Sequence, residues 1–538
     1  MKRAMAMPAP SRTVPRAAAL LLGAALLLSG GCALVPTPAP GSMTPGAQQT
    51  CRTWYGALDM QVHAAGVRDA GPRPVAGFPY LRIDRFTASL TDRLPPQTST
   101  AASVPAEHGA WVERLRVLDN QARRFELTNL PLSARQTLAR QFGLASDAAA
   151  LAQFSQGCAA RLSATDFASA VQIERLRENL LVPDDYVGAY RVAGLYPIAR
   201  IPFLAGVRKL ETETLRRFAV STHSASRQTR LQFTPMTDAA WPELQAKDIS
   251  TILRAASDNA LGVPMPNTEQ SEQLFRHFAP VWDIGVDGTD DLPGALTWDD
   301  GAQHDGFATP VVDIHQPVVY RQLAHTRVGK LSLLQLVYTV WFGARTPTTQ
   351  PIDLLAGRID GVVWRVTLSP DGKPLVYDSM HPCGCYHMFF PVDGVAARPA
   401  PADASGEWAF SPRAAPTLTS GERLVLRLAA ATHYVEGLDV RGADAPTGTV
   451  AIYQWRDYDE LRSLSLPGGQ YRSVFDAHGF MPGTDRLESW LFWPMGIARA
   501  GAMRQWGRHA TAFVGRRHFD DARLIEKRFD IKATLTDE

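Results

Sequence analysis

The sequence predicts an α+β fold, a mainly helical N-terminal domain followed by a mixed α+β domain with antiparallel hairpins. Two observations carry that expectation. Between residues 51 and 260 apolar side chains recur at helical spacing, as in Trp111, Leu115 and Leu118, and Ser133 and Asp166 are placed as N-caps. Beyond residue 260 alternating strand patterns and turn residues multiply, and ten of the thirteen histidines lie from His277 onward. The expected organisation is a leader (1–31), a tether (32–50), a helical domain (51–260) and an α+β domain (261–538). With 45% apolar residues, a chain of 538 can bury more than one core.

The leader comes first. Lys2, Arg3, Arg12 and Arg16 give a basic start without acids, followed by the uncharged 12-residue run AAALLLGAALLL at 17–28. A membrane-spanning helix needs about 20 apolar residues, so the run suits an export signal better than a permanent span. Ser29, Gly30 and Gly31 then lead into Cys32. This stretch resembles the lipobox of bacterial lipoproteins, which implies diacylation of Cys32 and a membrane as partner. Ala33, rather than Asp, follows the cysteine, which in Gram-negative lipoproteins implies sorting to the outer membrane, facing the periplasm. Ordinary signal cleavage with an unmodified cysteine is the alternative. Residues 33–50 (ALVPTPAPGSMTPGAQQT) read as the tether.

Removing the leader, with its four basic residues and no acids, moves the formal charge from +2 to −2. A near-neutral body with interleaved charges offers no electrostatic footprint for nucleic acid. With Cys32 assigned to lipid, Cys51, Cys158, Cys383 and Cys385 remain, an even set that suggests disulfides or metal ligation in an oxidising compartment. A Cys51–Cys158 bridge would staple the start of the body to a helical stretch.

Residues 186–207 (YVGAYRVAGLYPIARIPFLAGV) carry only two charges, but Pro197 and Pro202 interrupt helical continuity. Packed irregular core is expected there, with a membrane-interface segment as the alternative. Residues 331–342 (LSLLQLVYTVWF) are apolar on every side and are expected as a buried helix rather than a strand. Residues 362–368 alternate, 369–372 (SPDG) supply a turn and 374–377 return, which predicts a hairpin. A second hairpin is expected to join 424–428 and neighbouring strands to 450–455.

The first hairpin runs into DSMHPCGCYHMFF, residues 378–390. His381, Cys383, Cys385 and His387 alternate, so an extended strand would put them on one face but spread them over about 20 Å. A single metal ion needs donors within about 2.0–2.3 Å of itself. Pro382 and Gly384 must therefore bend the chain if the four are to share an ion. Three readings stay open: a Zn or Cu site, with Met380 or Met388 as further soft ligands; structural disulfides; or a cysteine nucleophile activated by histidine. Residues 384–388 (GCYHM) are similar to the Gly-Cys-x-Arg motif of L,D-transpeptidases, with His387 in place of the arginine. That resemblance implies thiol-dependent peptidoglycan chemistry at Cys385.

Further candidates are Asp313 with His315 on a short strand, and His518 with Asp520 in the stretch HATAFVGRRHFDD. Each pair is a possible second shell to the cluster. His325, His509, Arg516, Arg517 and Asp521 accompany them. H-E-x-x-H, G-x-S-x-G, Walker and Rossmann patterns are missing. Through WRVTL, YDSMHPCGCYH and RRHFDD the chain resembles exported lipoproteins of proteobacteria, which implies an envelope location.

Overall fold

Helices build the first part of the body, and a single large sheet builds the rest. The structure is a computed structural model and describes residues 45–95, 105–182, 184–220, 229–236, 243–299, 308–349, 351–402, 406–442 and 450–531. The leader, Cys32 and most of the tether lie outside the described residues. Residues Met43–Glu538 form one compact unit.

The principal helices are α1 (Pro45–Ala64), α2 (Ala106–Asn129), α3 (Ala148–Asp166), α4 (Gly188–Ala193) and α5 (Tyr196–Val220). Trp54 and Leu58 of α1, Trp111 and Leu115 of α2, and Leu151 and Leu162 of α3 share one core with Tyr80 and Ile83. The spacing of Trp111 and Leu115 thus faces inward, as the sequence predicts. The Cys51–Cys158 disulfide is formed and joins α1 to α3 through this core, with a Cα–Cα distance of 5.2 Å. Two caps are corrected. Ser133 lies inside the helix that follows Pro131. Asp166 ends α3 rather than starting a helix, bound there by Arg52 and Tyr80, and Asp147 caps α3 through the Ala150 amide.

Ten strands form the sheet: β1 (Arg230–Pro235), β2 (Val281–Gly285), β3 (Val318–Val328), β4 (Leu331–Arg345), β5 (Gly357–Leu368), β6 (Pro374–Met380), β7 (Met388–Pro391), β8 (Arg423–Leu428), β9 (Val435–Arg441) and β10 (Val450–Asp457). Their order is β7-β6-β5-β4-β3-β10-β1-β2-β8-β9. Strands β3 to β7 are an antiparallel meander, and β10 joins it by parallel pairing to β3. The fold is α+β.

The apolar run at 331–342 is strand β4, not a helix. Leu334, Leu336, Tyr338, Val340 and Phe342 face one core, while Leu333, Val337 and Trp341 face cores on the other side. A strand buried on both faces has no polar alternation to betray its period of two. The expected hairpin forms between β5 and β6. The second does not, because β8 pairs with β9 and β2, while β10 lies between β3 and β1. Residues 186–207 are also corrected: they fall largely in α4 and α5, with Pro202 inside the helix and much of their apolar surface exposed.

Replacing Cys51 and Cys158 by Ala frees a loop of 107 residues in the unfolded chain. A loss of about 2–5 kcal/mol in stability is expected. Urea unfolding of the variant beside the oxidised native protein measures it, and coincident midpoints would show that the bridge contributes nothing.

Candidate functional site

Strands β5 and β6 place Arg365 directly opposite Asp378. Both side chains are buried. Arg365 Nε donates to Asp378 Oδ1 at 2.9 Å, and Nη2 pairs with Oδ2. The guanidinium lies 3.7 Å from the Phe519 ring centroid, and its Nη1 donates to the Phe519 carbonyl at 2.6 Å. His387 Nε2 donates to Asp378 Oδ2 at 2.9 Å. Burial opposes ionisation of Asp378, but the Arg365 charge and these hydrogen bonds outweigh it and hold the carboxyl below its usual range. Burial likewise dominates His387 and lowers it to about 3, so the imidazole is neutral. Its Nδ1 faces the Thr511 hydroxyl at 3.4 Å.

The chain does bend where Pro382 and Gly384 stand. The Gly384 amide donates to the His381 carbonyl at 2.7 Å, and the His381 amide donates to the Cys385 carbonyl at 2.9 Å. Gly384 has φ +92°, and a Cβ there would collide with the Ala510 carbonyl. The regular pairing of β6 with β7 ends at Ser379 and Met388, and the connecting loop turns through Tyr386, with φ 57°.

The bend sends the two imidazoles to different carboxylates and leaves the two thiols side by side. His387 turns to Asp378, whereas His381 Nδ1 donates to Asp360 Oδ1 at 3.2 Å. Asp360, on β5, also accepts from His433 Nδ1 at 2.9 Å and Arg486 Nη2 at 3.3 Å. The other nitrogen of His433 lies 3.2 Å from Asp291. Burial opposes charge on His433, but the two carboxylates prevail and raise its pKa. Asp360 is driven well below the carboxylate range against its burial, by His381 and Arg486. Among the described residues no group of three or more His, Cys, Asp or Glu side chains is set to hold a metal ion.

Cys383 and Cys385 are free, buried and adjacent; the Cys385 amide donates to Cys383 Sγ at 3.4 Å. Hydrogen bonding with Cys383, then burial, pushes the Cys385 thiol well above its ordinary value. Among the described residues no imidazole is hydrogen-bonded to either thiol. A thiol held protonated lacks the activation that nucleophilic chemistry needs.

The other candidates are dispersed. Asp313 accepts from the backbone amide of His315 at 3.0 Å and from Gln316 at 2.7 Å in an exposed turn. His518 stands beside Asp184 and Asp185, and Asp520 pairs with Arg85 at 3.0 Å. The terminal stretch does reach the cluster, but through Ala510, Thr511, Arg517 and Phe519. His325 lies elsewhere, donating from Nε2 to the Pro264 carbonyl at 2.7 Å.

A cavity of about 540 Å³ opens beside the hairpin tip. Phe203, Leu210, Met388, Phe410, Phe492 and Phe513 give it apolar walls, and Cys385, Tyr386, His387 and Thr511 line it from the cluster. Glu211, Glu407, Glu488, Arg217, Arg517 and Tyr434 supply its polar groups. Burial raises Glu488 to about 7 against the pull of Arg486 and Arg345, with Asp360 and Asp353 adding to the rise. Burial also raises Glu407, although Arg517 and the amides of Phe513 and Val514 oppose it, and it raises Glu211 with Glu407 nearby. A second cavity of about 590 Å³ contains Arg85, Arg321 and Arg462, but these already pair with Asp520, Glu272 and Asp459. Arg114, also in that second cavity, meets Met265 and His325, whereas the first cavity is distinguished by its buried carboxyls Glu488, Glu407 and Glu211.

Sequence reasoning missed Glu407 and Glu488, which lie in no recognisable motif, and passed over Thr511 within HATAFVGRRHFDD. Arg365 and Asp378 did carry a signal. A lone arginine inside VVWRVTL, opposite an aspartate across a readable hairpin, marks a buried pair.

His387 near 3, His325 near 3 and His509 near 4 are all lowered chiefly by burial, from an ordinary value of 6.5. The unfolded chain binds protons that these folded imidazoles refuse, so their contribution is complete above about pH 6.5 and falls as pH drops towards 3. Each contributes up to about 1.4 kcal/mol per pH unit in that window. His433 and Glu488, both raised in the fold, have the opposite sign and offset part of this loss, and Asp360 and Asp378 act only below the ordinary carboxylate range. Net destabilisation between pH 7 and 5 is expected in urea titrations, and a midpoint that rises with acidity would contradict it.

No family model matches this chain, and neither does any curated protein or solved structure.

Proposed function

We propose that the protein is a cell-envelope lipoprotein, anchored through Cys32 to the outer membrane and facing the periplasm, whose body binds a small amphipathic ligand. The cavity of about 540 Å³ carries the binding half of this reading. Ligand sites are commonly apolar clefts of about 300–1,000 Å³ with a few convergent polar groups of perturbed pKa. Aromatic walls take the hydrocarbon part of the ligand. Tyr434, Glu488, Glu407 and Arg517 hydrogen-bond its polar end. The Cys385 thiol shares this wall, so thiol chemistry would use the same cavity, but the raised thiol favours binding over catalysis.

Glu488 makes the site pH-dependent. Below about 7 its carboxyl is neutral and tolerates an apolar neighbour; above, it is charged and excludes one. With N-phenyl-1-naphthylamine as probe, affinity is expected to fall from pH 6 to pH 8. Glu488→Gln should remove that slope, and Phe203→Asp should weaken binding about tenfold or more, equivalent to about 1.4 kcal/mol. Affinity indifferent to both substitutions would place the probe elsewhere and end the cavity reading.

The anchoring half rests on the leader. Palmitate labelling followed by mass analysis of the mature N-terminus is expected to find a diacylated Cys32, and Cys32→Ser should abolish the label. An unacylated mature chain would refute the anchor.

A further inference from the structure

We infer that the body docks on a phospholipid bilayer through an exposed apolar face built from α4, the first half of α5 and the helix Ser489–Phe492. Its leading side chains are Val192, Leu195, Ile198, Ile201, Trp490 and Trp493, which are 78, 63, 67, 66, 81 and 37% exposed. The two segments form one surface. Tyr190 meets Trp493 edge-on at 6.2 Å, Phe203 meets Phe492 at 5.2 Å, and Gly194 abuts Pro494 so closely that a Cβ would overlap it. Contiguous apolar faces of this kind mark interaction surfaces, unlike single exposed apolar residues.

Three observations select a bilayer as the occupant. Leu195, in the turn before α5, and Ile198 and Ile201 on the helix are exposed at intervals of three residues, and the exposed side of α5 continues into Arg208 and Lys209. An apolar strip ending in cations matches the acyl layer and phosphate level of a membrane surface. Tyr190, Trp490 and Trp493 add the amphipathic rings that favour the interface. Finally, Cys32 lies 13 residues before Pro45, a reach of roughly 45 Å at most, so an acyl anchor keeps the body close to the lipid. This last point rests on the anchoring reading above; the face itself does not. Among the described residues no helix is long and apolar enough to cross a membrane. The face lies on the bilayer.

The same elements form the cavity. Pro202, Phe203, Gly206 and Leu210 of α5, with Leu491 and Phe492, line it. The docked face therefore brings a cavity wall to the membrane surface, where an amphipathic ligand partitions from lipid rather than from water.

The test uses the native acylated protein in vesicles of brominated phosphatidylcholine and phosphatidylglycerol. Bromine quenching of tryptophan is expected, with the loss of most of it in W490F/W493F. In parallel, a mature chain exported without acylation is floated with the same vesicles, and I198E/W490E should lower its partition about tenfold or more while leaving its melting temperature unchanged. Acylated protein without quenching overturns docking and leaves the anchor standing. A chain found unacylated removes the anchor, and flotation of that chain, sensitive to I198E/W490E or not, then decides docking by itself. Equal flotation of native and I198E/W490E chains overturns it. So does a native dimer that I198E/W490E dissociates, because the face would then belong to a second copy.

Discussion

Arg365 and Asp378 sit opposite each other in adjacent strands with almost no access to water, and the surrounding structure is arranged to make that tolerable. Removing two such charges from solvent costs several kcal/mol each, recovered only when every remaining hydrogen-bonding position is filled. Arg365 therefore needs the Phe519 carbonyl, and Asp378 needs the His387 N–H. Holding Phe519 draws the terminal hairpin, with its Ala510–His518 bridge, against the sheet. Holding His387 turns its ring inward, beside Tyr386 with its positive φ. Thr511 and Cys385 become cavity wall as a consequence of these two demands.

Asp360 repeats the arrangement one strand position earlier along the fold, on β5, with His381, His433 and Arg486 around it. The two carboxylates explain why the alternating His and Cys residues do not converge. Each aspartate is buried and requires a cationic or N–H partner, and the nearest histidine answers it. An imidazole committed to a carboxylate by one nitrogen can still bind a metal through the other, as second-shell pairs do. Here the two rings are drawn to different aspartates, and the thiols are left facing each other across the turn.

Much of the fold was legible because local chemistry and tertiary context agreed. The SPDG turn and the alternation around it fixed the β5–β6 hairpin, and the spacing of Trp111 and Leu115 gave the inner face of α2. Setting Cys32 aside left four cysteines, among which a Cys51–Cys158 bridge was one of the open pairings, and the fold forms it. Strand β4 was not legible, since burial on both faces erases the periodicity that distinguishes strand from helix. The partnering of β8 and β10 was hidden because parallel pairings depend on distant segments and leave no turn between them to read. At the site, the bend at Pro382–Gly384 could be anticipated, but its effect depended on Asp360 and Asp378, whose positions come from register. Glu488 was invisible: nothing local distinguishes a glutamate raised by burial from a solvated one.

Helix α5 shows how one misreading exposes a functional constraint. Its first half, residues 196–207, carries a single charge, Arg200, and is apolar almost all round, which in a soluble body means burial on every side. The sheet and the cavity use only one side of it, through Phe203, Leu210 and Phe218. The opposite side keeps Ile198 and Ile201 in water at a free-energy cost that packing within this chain does not relieve. Reducing that cost would need only polar substitutions at exposed positions, since nothing inside the fold depends on those side chains. A helix that seals an apolar cavity on one side and offers an apolar strip on the other is suited to a boundary between protein and lipid. On the docking proposed above both sides would be satisfied at once, and the cavity would fill from the phase in which such a ligand dissolves.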